Sequence, residues 1–363
     1  IGIGPLTRRR NGRAVESKPM SRRRTIRLRD IAKESRASLT TVSLVLNRRD
    51  EKISDATRQR VREAVERLGY RPSRLAQGLQ AQRTGILAVL VPDLQHAFAD
   101  VCFGELISAV HDHAASVGNK LLLEVAHPDY IASGNHLELF DRDYCDGVLC
   151  MGVTNKDRYL RDFSDGARPM IVINNYVARF GLNYVCCDYR QAGVLVADHM
   201  LSLGHRGMAM IHGAPEVQTA VDLQDGFHDA LRRAGVHLTG KRLEDGMCTA
   251  EGGALAAITL MKRDPSITAI LAGNDKMAIG ALSGLKQYGL SVPRDVSVVG
   301  CDDIHAGAFT DPPLTTVHTP LHEIGRRACR RLLELIETAR TDVREVHRVK
   351  LTLRKSTCGP RTP

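Results

Sequence analysis

The residues best placed to meet a partner through hydroxyl and small apolar groups form one stretch, Ser38-Leu39-Thr40-Thr41-Val42-Ser43-Leu44-Val45-Leu46-Asn47. Val42, Val45 and Leu46 recur at helical spacing, which puts Leu39, Thr40, Ser43 and Leu44 on the other face. Ser38 is positioned as an N-cap, its hydroxyl accepting from an otherwise unpaired amide of the first turn. Upstream, Asp30-Ile31-Ala32-Lys33-Glu34 is a short amphipathic stretch, separated only by Ser35-Arg36-Ala37. Two short helices around so tight a turn fit a helix-turn-helix, or an ordinary helical hairpin. Residue types for covalent or metal chemistry do not assemble elsewhere. There is no G-x-G-x-x-G, Walker or G-x-S-x-G pattern at a strand end. The nine cysteines contain no C-x-x-C pair, and most lie in apolar surroundings, as reduced core cysteines do. His111 and His113, two apart on a helix, do not share a face. The chain therefore reads as no enzyme, with no cofactor and no metal site.

The elements around this stretch extend the pattern. Ser54 is an N-cap candidate for a third helix over residues 55–68, with Val61, Ala64, Val65 and Leu68 on one face and Gly69 just past its end. Arg71-Pro72 breaks that helix, and residues 73–80 offer one more short helical segment, weakened by Gly78. Residues 1–83 carry 22 Lys/Arg against 8 Asp/Glu, a net of +14, whereas the remainder carries 29 against 33, a net of −4. The whole basic excess of a chain with net charge +10 thus coincides with the helical head, as a footprint for phosphates requires.

At 363 residues, with 43% hydrophobic and 25% charged residues, the chain has room for two or three domains. No apolar run approaches the ~20 residues a membrane helix needs. The N-terminal stretch with Arg8-Arg9-Arg10 has no apolar core, unlike a secretory signal. The expected location is the cytoplasm. Residues 1–24 read as a disordered basic tail, and Met20 as a candidate start.

From Gly85 the chain alternates apolar strands with helices. Expected strands are 86–91, 120–125, 147–150, 170–173, 208–211, 269–271, 296–299 and 349–353; expected helices include 98–117, 136–144, 221–234, 252–262, 276–288 and 321–337. Such alternation builds doubly wound parallel sheets, and a second set begins near Asp188. Ligands of such sheets bind beyond the carboxyl ends of the strands.

Residues 28–84 resemble the DNA-binding head and hinge of the lactose-repressor (LacI/GalR) family. The resemblance rests on Asp30-Ile31-Ala32, Ser38, Thr41-Val42-Ser43, Val45-Leu46-Asn47, Leu68-Gly69-Tyr70-Arg71-Pro72, Ala76, Leu79 and Arg83-Thr84. It continues through Pro92-Asp93, Asp146-Gly147, Leu203-Gly204-His205-Arg206, Gly226-Phe227, Asn274-Asp275, Asp302-Asp303 and Pro313-Leu314-Thr315-Thr316-Val317, so it spans about residues 26–355.

The resemblance implies an α/β fold: a helix-turn-helix head and hinge helix joined to a two-lobed, periplasmic-binding-protein-like core. The implied domains are a basic tail (1–24), a head (25–70), a hinge (71–83), a first lobe (84–187 with 317–344), a second lobe (188–316 with 345–356) and a tail (357–363). Lobe crossings fall near Cys187, Thr316 and Glu345. It further implies a transcriptional regulator, a repressor, acting as a homodimer on double-stranded DNA with a pseudo-palindromic operator. A transport or chemosensory sugar-binding protein shares the lobes but has no use for residues 25–83.

Carried over by position, Leu39 and Thr40 face base edges, and Ser38, Thr41, Ser43 and Asn47 position phosphates. Leu44 stands where the family usually has arginine, so a bidentate guanine contact is lost there and the operator preference is expected to change. Ser73, Ala76 and Leu79 fall in the hinge helix, with Leu79 wedging into the minor groove. A small-molecule effector, a sugar or related metabolite, is expected in the cleft, against Asp93, Phe98, Asn174, Asn274 and Asp302. Leu223 replaces an arginine that commonly anchors the ligand. The chain has no Trp and only 4% aromatics, which argues against a stacked sugar ring.

Overall fold

In the computed structural model, residues 26–46, 50, 52–70, 83–93, 100–141, 144–164, 166–338 and 342–361 are described. The chain divides into two compact units, residues 1–80 and 81–363.

The first unit contains α1 (Leu28–Ser35), α2 (Leu39–Leu46) and α3 (Asp55–Leu68). Asp30 accepts from the Arg27 amide at 2.8 Å and so starts α1. Arg36, in the left-handed region at φ 54°, ends it and makes the tight turn. Ser38 Oγ then accepts from the Thr41 amide at 3.0 Å, the cap that starts α2. The three helices close on Ile31, Val42, Val45, Val61, Ala64 and Tyr70. Burying an aliphatic side chain of this size is worth about 1.5–3 kcal/mol, so these few residues hold the head together. Ser54 differs from its expected role. It precedes α3, but its hydroxyl donates to Thr57 Oγ1 at 3.0 Å and caps no amide. Gly69, at φ 60°, closes α3 in the left-handed conformation that glycine adopts freely.

The second unit holds two six-stranded sheets. In the first, the order is β11-β5-β4-β3-β1-β2, and every pairing is parallel. Its strands are β1 (Ile86–Pro92), β2 (Lys120–Ala126), β3 (Gly147–Met151), β4 (Met170–Ile173), β5 (Tyr184–Cys187) and β11 (Arg344–His347). The second sheet has the order β12-β10-β9-β8-β6-β7. It comprises β6 (Met208–His212), β7 (Leu243–Asp245), β8 (Ala269–Ala272), β9 (Ser297–Asp302), β10 (Thr315–His318) and β12 (Lys350–Thr352). Only β12 among these runs antiparallel, against β10. The central strands β3, β4 and β8 are buried along their whole length, as sheets covered on both faces demand. The flanking helices are α4 (Val101–Ser116), α5 (Pro128–Ala132), α6 (Asn135–Asp141), α7 (Tyr189–Ser202), α8 (Gln218–Arg233), α9 (Ala250–Arg263), α10 (Asp275–Gln287) and α11 (Leu321–Thr338).

The chain passes from the first sheet to the second between Cys187 and Tyr189, returns between His318 and Leu321, and passes over again between His347 and Lys350. The crossings expected near Thr316 and Glu345 thus fall a few residues further on, and Thr316 and Glu345 themselves lie inside strands. Thr316 is held in the second sheet by its hydroxyl on Asp275 Oδ1 at 2.5 Å. Glu345 is held in the first by Arg327 at 3.0 Å and by Arg331, both on α11.

Candidate DNA-reading helix and ligand cleft

On α2, Val42 and Val45 are buried while Leu39, Thr40 and Leu44 are exposed, so the side opposite the core is the one the spacing predicts. Thr41 Oγ1 and Ser38 Oγ share a 2.8 Å hydrogen bond. One hydroxyl hydrogen of that pair stays available to an acceptor such as a phosphate. Ser43 is half-buried. Asn47, Ser73, Ala76 and Leu79 lie outside the described residues, as does Phe98.

Between the lobes of the second unit lies a cleft of about 1150 Å³, at the carboxyl ends of β1, β3, β4, β6 and β9. Asp93, Asn174, Leu223, Asn274 and Asp302 all line it. Asp93 follows β1 and stands 3.8 Å from His127 Nε2. Asn174 follows β4 in the left-handed region at φ 54°. Its Nδ2 donates to the Tyr189 hydroxyl at 2.8 Å, and its buried Oδ1 has no partner. Either orientation of that amide leaves one polar atom uncommitted. Asn274 is the N-cap of α10, with Oδ1 accepting from the Met277 amide at 2.8 Å, so part of its capacity is structural. Leu223 is 1% exposed and packs in the core.

Asp302 ends β9 at φ 124°, a backbone conformation that residues other than glycine rarely adopt. The Cys102 thiol donates to its Oδ2 at 3.6 Å. Burial first, and the Asp275 carboxylate next, push the Asp302 carboxyl well above the usual carboxylate range.

The fold also brings together residues that spacing alone did not single out. Lys276, on the first turn of α10, pairs across the cleft with Asp100, the N-cap of α4. Burial lowers the lysine's proton affinity, but the hydrogen bond and charge of Asp100 carry it above its ordinary value. The Tyr176 hydroxyl reaches Asp222 at 2.8 Å, Asn175 Oδ1 accepts from the Thr219 amide at 3.2 Å, and Lys156 pairs with Glu216. The lobes are thus tied to each other by side chains from both. The acidic lining residues are Asp93, Asp100, Asp157, Glu216, Asp245 and Asp302 against one amine, Lys276, so among the described residues the cleft is rich in acceptors and has no arginine. The positions of Asp100 and Lys276 at helix starts were the only signal in the sequence, and nothing in it pairs residues 176 positions apart.

Comparison with known proteins completes the assignment. Residues 27–73 match the lacI family of bacterial regulatory proteins, and residues 197–357 match a periplasmic binding protein-like domain. The transcriptional regulator GalS of Salmonella typhimurium is 32% identical over 303 residues, covering 84% of this chain and 88% of GalS. A solved structure of the regulator CelR in complex with cellobiose superposes with a TM-score of 0.70 at 28% identity, covering 91% of this chain and 99% of CelR. The lac repressor dimer bound to operator and the anti-inducer ONPF gives a TM-score of 0.81 over 92% of this chain and 100% of that one; at 24% identity it supports the fold. With the helix-turn-helix head, the two parallel sheets and these matches together, the chain belongs to the lacI family, as a DNA-binding transcriptional regulator with an effector-binding core.

Proposed function

We propose that α2 enters the major groove of a pseudo-palindromic operator, one copy from each half of a homodimer, and that the protein represses transcription in the cytoplasm. In this reading Leu39, Thr40 and Leu44 face base edges, and Ser38, Thr41, Ser43 and Asn47 position phosphates. Ser73, Ala76 and Leu79 form the hinge, Leu79 being the minor-groove wedge. The observation that carries it is the exposed, core-free face of α2 in the segment that holds the whole basic excess. The dimer and operator come from the lac repressor complex, whose fold this chain shares. The chain acts as a regulator and not as an enzyme, in keeping with its relatives.

The cleft binds a small, uncharged polyhydroxyl effector. Asp302, Asp93 and the uncommitted atom of Asn174 meet its hydroxyls, and Asn274 adds what its capping bond leaves. Besides Asp302, whose carboxyl is pushed toward its neutral form, the lining has five carboxylates and a single amine already paired with Asp100, which disfavours phosphorylated or carboxylate ligands because each would bring further negative charge among them. The complex of CelR with cellobiose supports a sugar. Effector binding changes lobe closure, and through it the presentation of the two heads, as a shift between two populations.

The test has two arms. Operator sequences are selected from a random DNA pool with the full chain, and binding to them is measured by fluorescence anisotropy. Neutral sugars, sugar phosphates and carboxylates are then screened by melting temperature. A neutral sugar at 100 times its Kd should stabilise the core by about 2.7 kcal/mol and change operator affinity. No sequence-selective binding, or stabilisation by anionic ligands alone, contradicts the corresponding half of the proposal.

A further inference from the structure

Helix α2 carries a face of unusual composition for one that reads bases. Its sequence, Leu-Thr-Thr-Val-Ser-Leu-Val-Leu, has no charged and no amide side chain. Leu39, 54% exposed, and Leu44, 36% exposed, are the exposed large apolar side chains of the described part of the first unit. Leu39 and Ser43 are four apart, as are Thr40 and Leu44, so the face consists of two neighbouring ridges, each with one leucine and one hydroxyl residue. The core does not use these leucines: Val42 and Val45 fill it from the opposite side. Two exposed leucines thus stand on the reading face of a helix in the most basic segment of the chain. That combination complements a polyanion whose contact surface offers an apolar group. In the major groove that group is the 5-methyl of thymine, since the other base edges present donors and acceptors. The forks that read guanine and adenine in pairs, from Arg, Lys, Asn or Gln, have no counterpart on this face.

We propose that Leu39 and Leu44 read thymine 5-methyl groups, so that this regulator selects half-sites by methyl contact. 5-Methylcytosine carries a methyl at the same ring position, and it substitutes for thymine in that contact. The inference rests on the reading that α2 lies in the major groove.

The experiment uses the full chain and the operator recovered from the random pool. Each selected thymine is replaced in turn by uracil, which removes the methyl and keeps every hydrogen-bonding group. Affinity should fall about fourfold for each contacted methyl, the equivalent of one buried carbon. Cytosine-to-5-methylcytosine exchange in a site weakened by a thymine-to-cytosine change should recover part of the loss. The double variant Leu39→Ala/Leu44→Ala keeps the helix, since both positions are exposed and alanine is the better helix former. It should bind thymine and uracil operators within about twofold of each other. Leu44→Arg should move the selected base toward guanine. Selective binding indifferent to uracil exchange, or uracil sensitivity unchanged in the double variant, overturns the inference while leaving α2 in the groove. If the double variant and Thr40→Ala both leave selectivity intact, α2 is not the reading helix, and the inference falls with that reading.

Discussion

Asp275 is wholly buried beneath the cleft, where it accepts from the Ile304 amide at 2.8 Å and from the Thr316 hydroxyl. Burial raises its carboxyl to about 6 despite those donors, which stabilise the ionised form. A raised carboxyl binds its proton more tightly in the folded chain than in the unfolded one. It therefore favours the fold below about pH 4, and that advantage is lost as pH rises through about 6. The difference amounts to about 3 kcal/mol. Asp275→Asn should thus flatten the loss of stability between pH 4 and 6 relative to the parent, a comparison that denaturation at matched pH values makes. An unchanged pH profile would contradict it. Asp302 shifts in the same direction, for the same main reason, so Asp302→Asn should act in the same sense.

Among the elements, α7 and α8 approach more closely than any side chain permits. A Cβ on Gly226 would lie 1.9 Å from the Arg190 carbonyl oxygen, and one on Gly193 would lie 2.2 Å from that of Leu223. Both obstacles are backbone, so the helices themselves must part. Gly226→Ala should cost about 3 kcal/mol or more, read as a lower urea midpoint. Phe227, next to that glycine, is fully buried in the same core cluster as Ala192 and Val196 of α7. Leu223 belongs to this packed seam as well, which suits an aliphatic residue at the wall of the cleft.

Across the whole molecule, two kinds of electrostatics act separately. Residues 1–83 carry a net +14, and in the proposed complex their contacts with phosphates release counterions. Operator affinity should fall by on the order of 10³ or more between 50 and 200 mM salt, the range for six or more phosphate contacts. A flat salt profile in anisotropy titrations would argue against the basic segment as the docking surface. In the core, Asp100 and Lys276 tie the lobes together from opposite sides of the cleft. Lys276→Met leaves Asp100 unpaired in a half-buried site, and Asp100→Asn/Lys276→Met removes both charges. The single variant should lower stability by about 1 kcal/mol and expand the core in small-angle scattering, and the double variant should recover most of the stability. Expansion in neither would show that the pair does not hold closure.

The sequence by itself determined what depends on local periodicity. The core side of α2, the Ser38 cap, the Gly69 stop and the buried runs of β1, β3, β4 and β8 are all written in spacing of 3.6 or in apolar runs, which neighbours in the chain suffice to impose. The two-lobed α/β class followed from strand-helix alternation. Four strands were not legible: β5, β7, β10 and β11 are only three or four residues long, and Leu243-Glu244-Asp245 and Arg344-Glu345-Val346-His347 are polar edge strands. An edge strand is held by its neighbour's backbone and needs no apolar signature. The crossing points shifted by a few residues for a related reason. Arg327 and Arg331 of α11 reach Glu345, and that ion pairing belongs to no local pattern. Only the tertiary structure decided which groups converge on the cleft: Asp100 on Lys276, Tyr176 on Asp222, Cys102 on Asp302, and Asn174 with one polar atom unspent. Such partners are dozens to hundreds of residues apart, so their meeting is set by sheet order and by the lobe crossings, and no window along the chain contains it.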